Sequence, residues 1–160
     1  MTTRITPMLW FDGQAEEAAN FYVSVFKNAS ITDIARYGRN MPGVEGTVMV
    51  VSFEIDGQPF TALNGGPQFK FSEAISFVVN CQGQQEVDYY WDKLIAGGGS
   101  AQQCGWLKDK YGLSWQVVPT EAIEMMTDRD AAKSQRVMEA VMKMVKLDLA
   151  QLRRAYEQTS

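Results

Sequence analysis

Pro7–Phe26 reads PMLWFDGQAEEAANFYVSVF, and Ser76–Ile95 reads SFVVNCQGQQEVDYYWDKLI. In each, an apolar stretch meets a polar turn, and helix-spaced apolar residues follow. Laying Pro7 on Ser76 brings Glu17 onto Glu86, Ala18 onto Val87, Phe21 onto Tyr90, Tyr22 onto Trp91 and Phe26 onto Ile95. Laying Gly57 on Gly112 brings Phe60 onto Trp115, Ala62 onto Val117 and Leu63 onto Val118. The chain therefore carries an internal repeat, and a repeat constrains architecture before any single element does.

Working outward, Ile5–Phe11 reads as a strand and Ala15–Phe26 as a helix. A short strand lies within Asn28–Tyr37, and a loop with two glycines and Pro42 spans Gly38–Gly46. Thr47–Ile55 and Phe60–Leu63 flank Asp56-Gly57, a strong hairpin signal. Asn64–Ser72 links the halves. Ala74–Asn80 is the next strand and Gln84–Ala96 the next helix, closed by Gly97-Gly98-Gly99. Ser100–Leu107 and Leu113–Val118 flank the turn KDKYG. Each half reads βαβββ. The fold class is α+β: tandem βαβββ repeats forming a curved mixed sheet with helices outside, plus a helical tail. One domain over 1–160 is expected, with a first unit near 4–64, a linker at 65–73, a second unit near 74–119 and the tail near 127–158. Asp130 and its neighbours cap the tail helix, and Asp148 caps a second helix after a break near Lys146. The expected buried faces are Met138/Met142/Val145 and Leu149/Leu152/Tyr156.

At 46% hydrophobic and 21% charged residues the chain is globular, and a net charge of -4 argues against nucleic acid as a partner. The apolar run Val48–Val51 is too short for a membrane span, and MTTRITPMLWF holds no long signal core. Cys81 and Cys104 lack metal-like spacing and read as reduced thiols, so a cytoplasmic location is expected. There is no histidine, which removes the usual general base, the commonest metal ligand and every His-dependent nucleophile within one chain.

The segments TPMLWFDGQAEEAANFY, FEIDGQPFTALNGGPQFKF, AISFVVN, CGWLKDKYGLSWQVVP and RVMEAVMKMVKLDLAQL cover nearly the whole chain. Together they resemble the PhnB-like group of the glyoxalase/bleomycin-resistance, or vicinal oxygen chelate, superfamily. That group often carries a demethylubiquinone methyltransferase label. No glycine-rich loop between a strand and a helix is present to seat a nucleotide cofactor. The resemblance puts metal-ligand positions near Pro7, Thr61, Ser76 and Gln116. One amide and two hydroxyls supply no charged oxygen and no imidazole, so neither metal nor other cofactor is expected.

Alternation sorts the side chains into two faces. The Asp56-Gly57 hairpin pairs Phe53 with Phe60, Val51 with Ala62, Ser52 with Thr61 and Val50 with Leu63. A four-residue turn at Asp109–Gly112 pairs Trp106 with Trp115 and Cys104 with Val117. Both aromatic sets are expected beneath the helices. The opposite, concave face then carries Leu9, Phe11, Ser52, Glu54, Thr61, Asn80, Ser114 and Gln116, a mixture suited to a ligand. Gln116 either orients a substrate group or is a relic of a lost metal site. Glu54 and Cys104 are the catalytic candidates, against readings as a solvated acid and a small core residue. Trp10, Trp106 and Trp115 either stack a ring ligand or fill the core, and GGPQFKF is either a lid or a plain linker.

Leu9, Phe11, Ser52, Thr61, Asn80 and Gln116 are thus the ligand-binding candidates. Three functions follow: a metal-free binding protein for a small organic molecule, a metal-free enzyme on the same scaffold, or an interaction protein acting through the methionine-rich tail. A homodimer is expected, and dimerisation through the tail is compatible with each.

Overall fold

A computed structural model describes residues 3–158. The chain forms two compact units, one ending at Phe71 and one starting at Ser72. The first holds β1 (Met8–Phe11), α1 (Ala15–Val25), β2 (Ala29–Arg36), β3 (Val48–Ile55) and β4 (Gln58–Asn64). Its sheet order is β1-β4-β3-β2, with β1 parallel to β4 and the other pairs antiparallel. The second holds β5 (Ser76–Cys81), α2 (Gly83–Ile95), β6 (Ser100–Ala101), β7 (Trp106–Lys108) and β8 (Ser114–Pro119), in the matching order β5-β8-β7-β6. The repeat in the sequence is a repeat in the fold, as two four-stranded mixed sheets.

Local chemistry explains the first sheet. Asp56 and Gly57 both take positive φ (50° and 82°), which a two-residue hairpin requires. The turn sets the expected register of Phe53 with Phe60 and Ser52 with Thr61. Ala15, Ala18 and Ala19 are small and fully buried, so α1 lies close to the sheet. Tyr22 on the inner face of α1 and Phe53 on β3 are both buried, their rings 6.1 Å apart. Burial of each such side chain stabilises by about 1.5–3 kcal/mol.

Leu9 and Phe11 do not lie on the open face. In the parallel ladder Leu9 stands beside Ala62 and Phe11 beside Asn64, so both share the face that α1 covers. Met8 and Trp10 take the other face, with Thr61 and Leu63 as their partners. The strand repeat is also one residue out of step with the helix repeat. Met8 pairs with Thr61, and Val78 with Gln116. Asp12, Gly13 and Gln14 join β1 to α1, whereas Gln82 alone joins β5 to α2.

The second hairpin corrects another expectation. Trp106 pairs with Gln116, and Leu107 pairs with Trp115. Asp109 N donates to Leu113 O (2.9 Å) and Gly112 N to Asp109 O (2.9 Å), with Gly112 at φ 87°. The loop is therefore a turn closed by a left-handed glycine, one residue longer than a four-residue turn closed on itself. A slip of one residue exchanges the faces of a whole strand. Leu107 and Trp115 go to the core with Val79, Cys81 and Val117, and Trp106 turns to the open face. The buried Asp109 carboxylate fixes the turn by accepting from Tyr111 N (2.9 Å), Leu113 N (3.1 Å) and Trp115 Nε1 (2.9 Å). Cys104 does not pair with Val117. It sits between β6 and β7 at φ 63°, and the residue bonded to Val117 N is Gly105.

Three tail helices complete the second unit: α3 (Thr120–Met126), α4 (Ala131–Met142) and α5 (Leu149–Glu157). The short α3, directly after Pro119, has no counterpart among the expected elements. Asp130 caps α4 and Asp148 caps α5, each through side-chain bonds to backbone N–H groups. Leu149 and Leu152 are buried as expected, and Tyr156 is half-buried. The α4 face is corrected. Val137 and Val141 enter the cluster with Val118, Ala122 and Met125, while Met138, Met142 and Val145 are 44%, 65% and 43% exposed. Val137 and Val141 precede the expected methionines by one position, so the buried stripe is rotated by about 100°. Among the described residues no helix is long and apolar enough to cross a membrane.

Candidate functional site

With the registers fixed, each sheet presents one face to its helix and one mixed face. In the first unit the mixed face carries Met8, Trp10, Ser52, Thr61 and Leu63, with the exposed Glu54 at the hairpin end. Thr61 lies close to the chain before β1: its N–H donates to Pro7 O at 3.0 Å. Trp10 donates from Nε1 to Gly66 O (2.8 Å), and its ring meets Phe69 edge-on at 4.9 Å. These contacts hold the segment after β4 onto this face. A Cβ added at Gly65 would stand 2.4 Å from the Trp10 ring. Gly65→Ala is therefore expected to displace the ring or the segment and lower stability by about 1–3 kcal/mol, measured by chemical denaturation. A neutral result would show that the segment is not anchored there.

In the second unit the mixed face carries Ser76, Val78, Asn80, Trp106, Lys108, Ser114 and Gln116. Gln116 Nε2 donates to Ser76 Oγ at 3.0 Å, and both side chains are half-buried. Trp106 stands directly beside Gln116 on β7. Asn80 is exposed, farther along β5 beside Val118. Ser114 is fully buried, and its hydroxyl has no hydrogen-bond partner among the described residues. Lys108 forms an ion pair with Glu73, whose carboxyl it holds below the ordinary carboxylate range. Lys108 and Glu73 were not among the site candidates, and Trp106, expected in the core of the second hairpin, lies on the mixed face. The signal that would have found Trp106 is Gly112, the residue that lengthens the turn.

The two cysteines lie apart from this face. Cys81 is buried, and burial, then the charge of Glu86, pushes its thiol up to about 12, so it stays protonated and unreactive. Cys104 packs against the tail cluster. A cleft of about 530 Å³ does open along the tail, lined in part by Gln84, Asp88, Lys146 and Asp148. Its polar groups hold the fold together. Lys146 pairs with Asp88 at 2.9 Å, and Gln84 bonds Leu147 O (3.0 Å) and Leu149 N (2.8 Å).

The family model described as 3-demethylubiquinone-9 3-methyltransferase matches residues 3–118. The chain belongs to this family. It is 40% identical to the PhnB protein from Bacillus cereus, over 73% of this chain and 99% of that one, with a TM-score of 0.66. Protein PA1353 from Pseudomonas aeruginosa matches at 20% identity and a TM-score of 0.61, over 74% of this chain and 98% of that one. The fosfomycin resistance protein FosX from Listeria monocytogenes, in a structure with Mn(II) and sulfate, matches at 12% identity and a TM-score of 0.51 over 74% of this chain and 90% of that one. The fold is that of the glyoxalase/bleomycin-resistance proteins. No curated protein matches the chain.

The residues at the superfamily's metal-ligand positions do not fit Zn²⁺ or a later transition metal. Ser76 and Thr61 offer hydroxyls and Gln116 an amide oxygen, none of them charged. Among the described residues no group of three His, Cys, Asp or Glu side chains comes together. Neutral oxygens of this kind are poor ligands for Zn²⁺ and the later transition metals, which favour imidazole, thiolate or carboxylate.

Proposed function

We propose that this member of the PhnB-like family binds a small uncharged organic molecule on the mixed face of its second unit, without a metal. The Gln116–Ser76 hydrogen bond supports this reading. With its Nε2 engaged, Gln116 keeps its amide oxygen as an acceptor, and Ser76 keeps its hydroxyl hydrogen as a donor. Such a pair suits a ligand carrying both a donor and an acceptor, for example a hydroxyl beside a carbonyl. Trp106 and Val78 give the apolar wall that holds such a molecule flat. The same logic gives Thr61 and Ser52, with Trp10 as wall, a supporting role in the first unit.

Methyl transfer from a nucleotide cofactor is a weaker reading of the family's description. The links from strand to helix are Asp12–Gln14 and Gln82, and neither is the glycine-rich loop that cradles a nucleotide. A thermal-shift screen with small hydroxylated carbonyl compounds identifies a ligand, and calorimetry then compares Gln116→Leu with the parent. The expected loss is about 1–3 kcal/mol, because the ligand's partner group is left unsatisfied. Unchanged affinity in Gln116→Leu would place binding elsewhere.

A further inference from the structure

Among the described residues, Ser114 alone has a buried side-chain polar atom with no hydrogen-bond partner. An unsatisfied buried hydroxyl is costly, and native folds keep few of them. Ser114 stands two residues before Gln116 on β8, and strand alternation puts both side chains on the mixed face. In the ladder it pairs with Ser76 on β5 and with Lys108 on β7. Neighbouring strands lie about 4.8 Å apart, so a small group between the two serines can meet both hydroxyls. Lys108 is neutralised by Glu73, and the row carries no net charge.

We propose that Ser114 is a third anchor on this face, and that the ligand contains a three-carbon hydroxycarbonyl unit with an oxygen on every carbon. The inference rests on the reading that Gln116 and Ser76 hold a hydroxyl beside a carbonyl. The order of the side chains matches the order of the oxygens. Gln116 Oε1 accepts from the first hydroxyl, and Ser76 donates to the carbonyl next to it. Ser114 then takes the hydroxyl on the far side, as donor or acceptor. The Lys108 and Glu73 side chains reach solvent, and a surface ion pair of this kind opens at little cost, which lets a small molecule in to Ser114. A compound without the third oxygen leaves the Ser114 hydroxyl unsatisfied and gains nothing there.

NMR titration of the full, isotope-labelled chain with dihydroxyacetone, and with hydroxyacetone, which lacks one hydroxyl, tests the proposal. The parent should bind dihydroxyacetone about tenfold more tightly. Ser114→Ala should bring that affinity down to the one for hydroxyacetone and leave hydroxyacetone binding unchanged. Without ligand, its denaturation midpoint should stay where it is or rise, because the hydroxyl makes no bond within the fold. Gln116→Leu should weaken binding of both compounds. Equal affinity of the parent for the two, with Gln116→Leu still weakening both, would overturn the third anchor and leave the ligand reading standing. A parent that binds neither compound would overturn both together. A destabilised Ser114→Ala would mean that the hydroxyl holds the fold instead, and would overturn the third anchor as well.

Discussion

Asp109→Ala is expected to lower stability by about 3 kcal/mol or more, since each buried donor left without its acceptor costs about 1–3 kcal/mol. The side chain is buried and its carboxylate satisfies two backbone N–H groups and the Trp115 indole. Alanine leaves all three donors without that acceptor inside the sheet. The effect should extend to register, because the turn decides which faces β7 and β8 present. Asp109→Asn, which keeps one acceptor oxygen, should lose less. Denaturant titration checks both variants. A loss below about 1 kcal/mol in the alanine variant would mean that other groups set the turn.

Leu152→Ala should cost about 2–5 kcal/mol, since the side chain is fully buried where α5 meets Val137, Val141 and Met125. Hydrogen exchange should show faster opening of α3, α4 and α5, with α1 and the first sheet unaffected. The tail has its own cluster, and a cavity there should be felt mainly by its neighbours. Uniform protection across the chain in the variant would contradict a separately packed tail.

The sequence carried the fold because the repeat is written in strong signals. Asp56-Gly57 demanded one hairpin geometry, and that hairpin has it. Tyr22 and Trp91, matched by the repeat, are both buried on their helices. The face assignments failed where one residue carries the information. Gly112 lengthens a turn, and Trp106 moves from core to open face. Leu9 follows Ala62 through a parallel ladder, whose register no local turn announces. On α4, valines and methionines stand side by side, so apolar spacing alone fits either stripe. The structure puts Val137 and Val141 in the cluster with α3 and α5 and leaves Met138 and Met142 exposed.

Gln116 and Ser76 are a different case. Both positions were marked by resemblance to metal-binding relatives, while their residue types spoke against a metal. The contact between them follows from the β5–β8 register, which sets Ser76 beside Ser114 and Val78 beside Gln116. The serine and the glutamine thus meet on a diagonal across two strands, a reach that a long amide side chain spans.

The most direct test is calorimetric titration of the screened ligand into chelator-treated protein, repeated after loading with Mn²⁺ or Zn²⁺. The account predicts the same affinity in both preparations, and a loss of about 1–3 kcal/mol in Gln116→Leu whether or not metal is present. Binding that appears only with a stoichiometric metal, and that disappears together with the metal in Gln116→Leu, would contradict it.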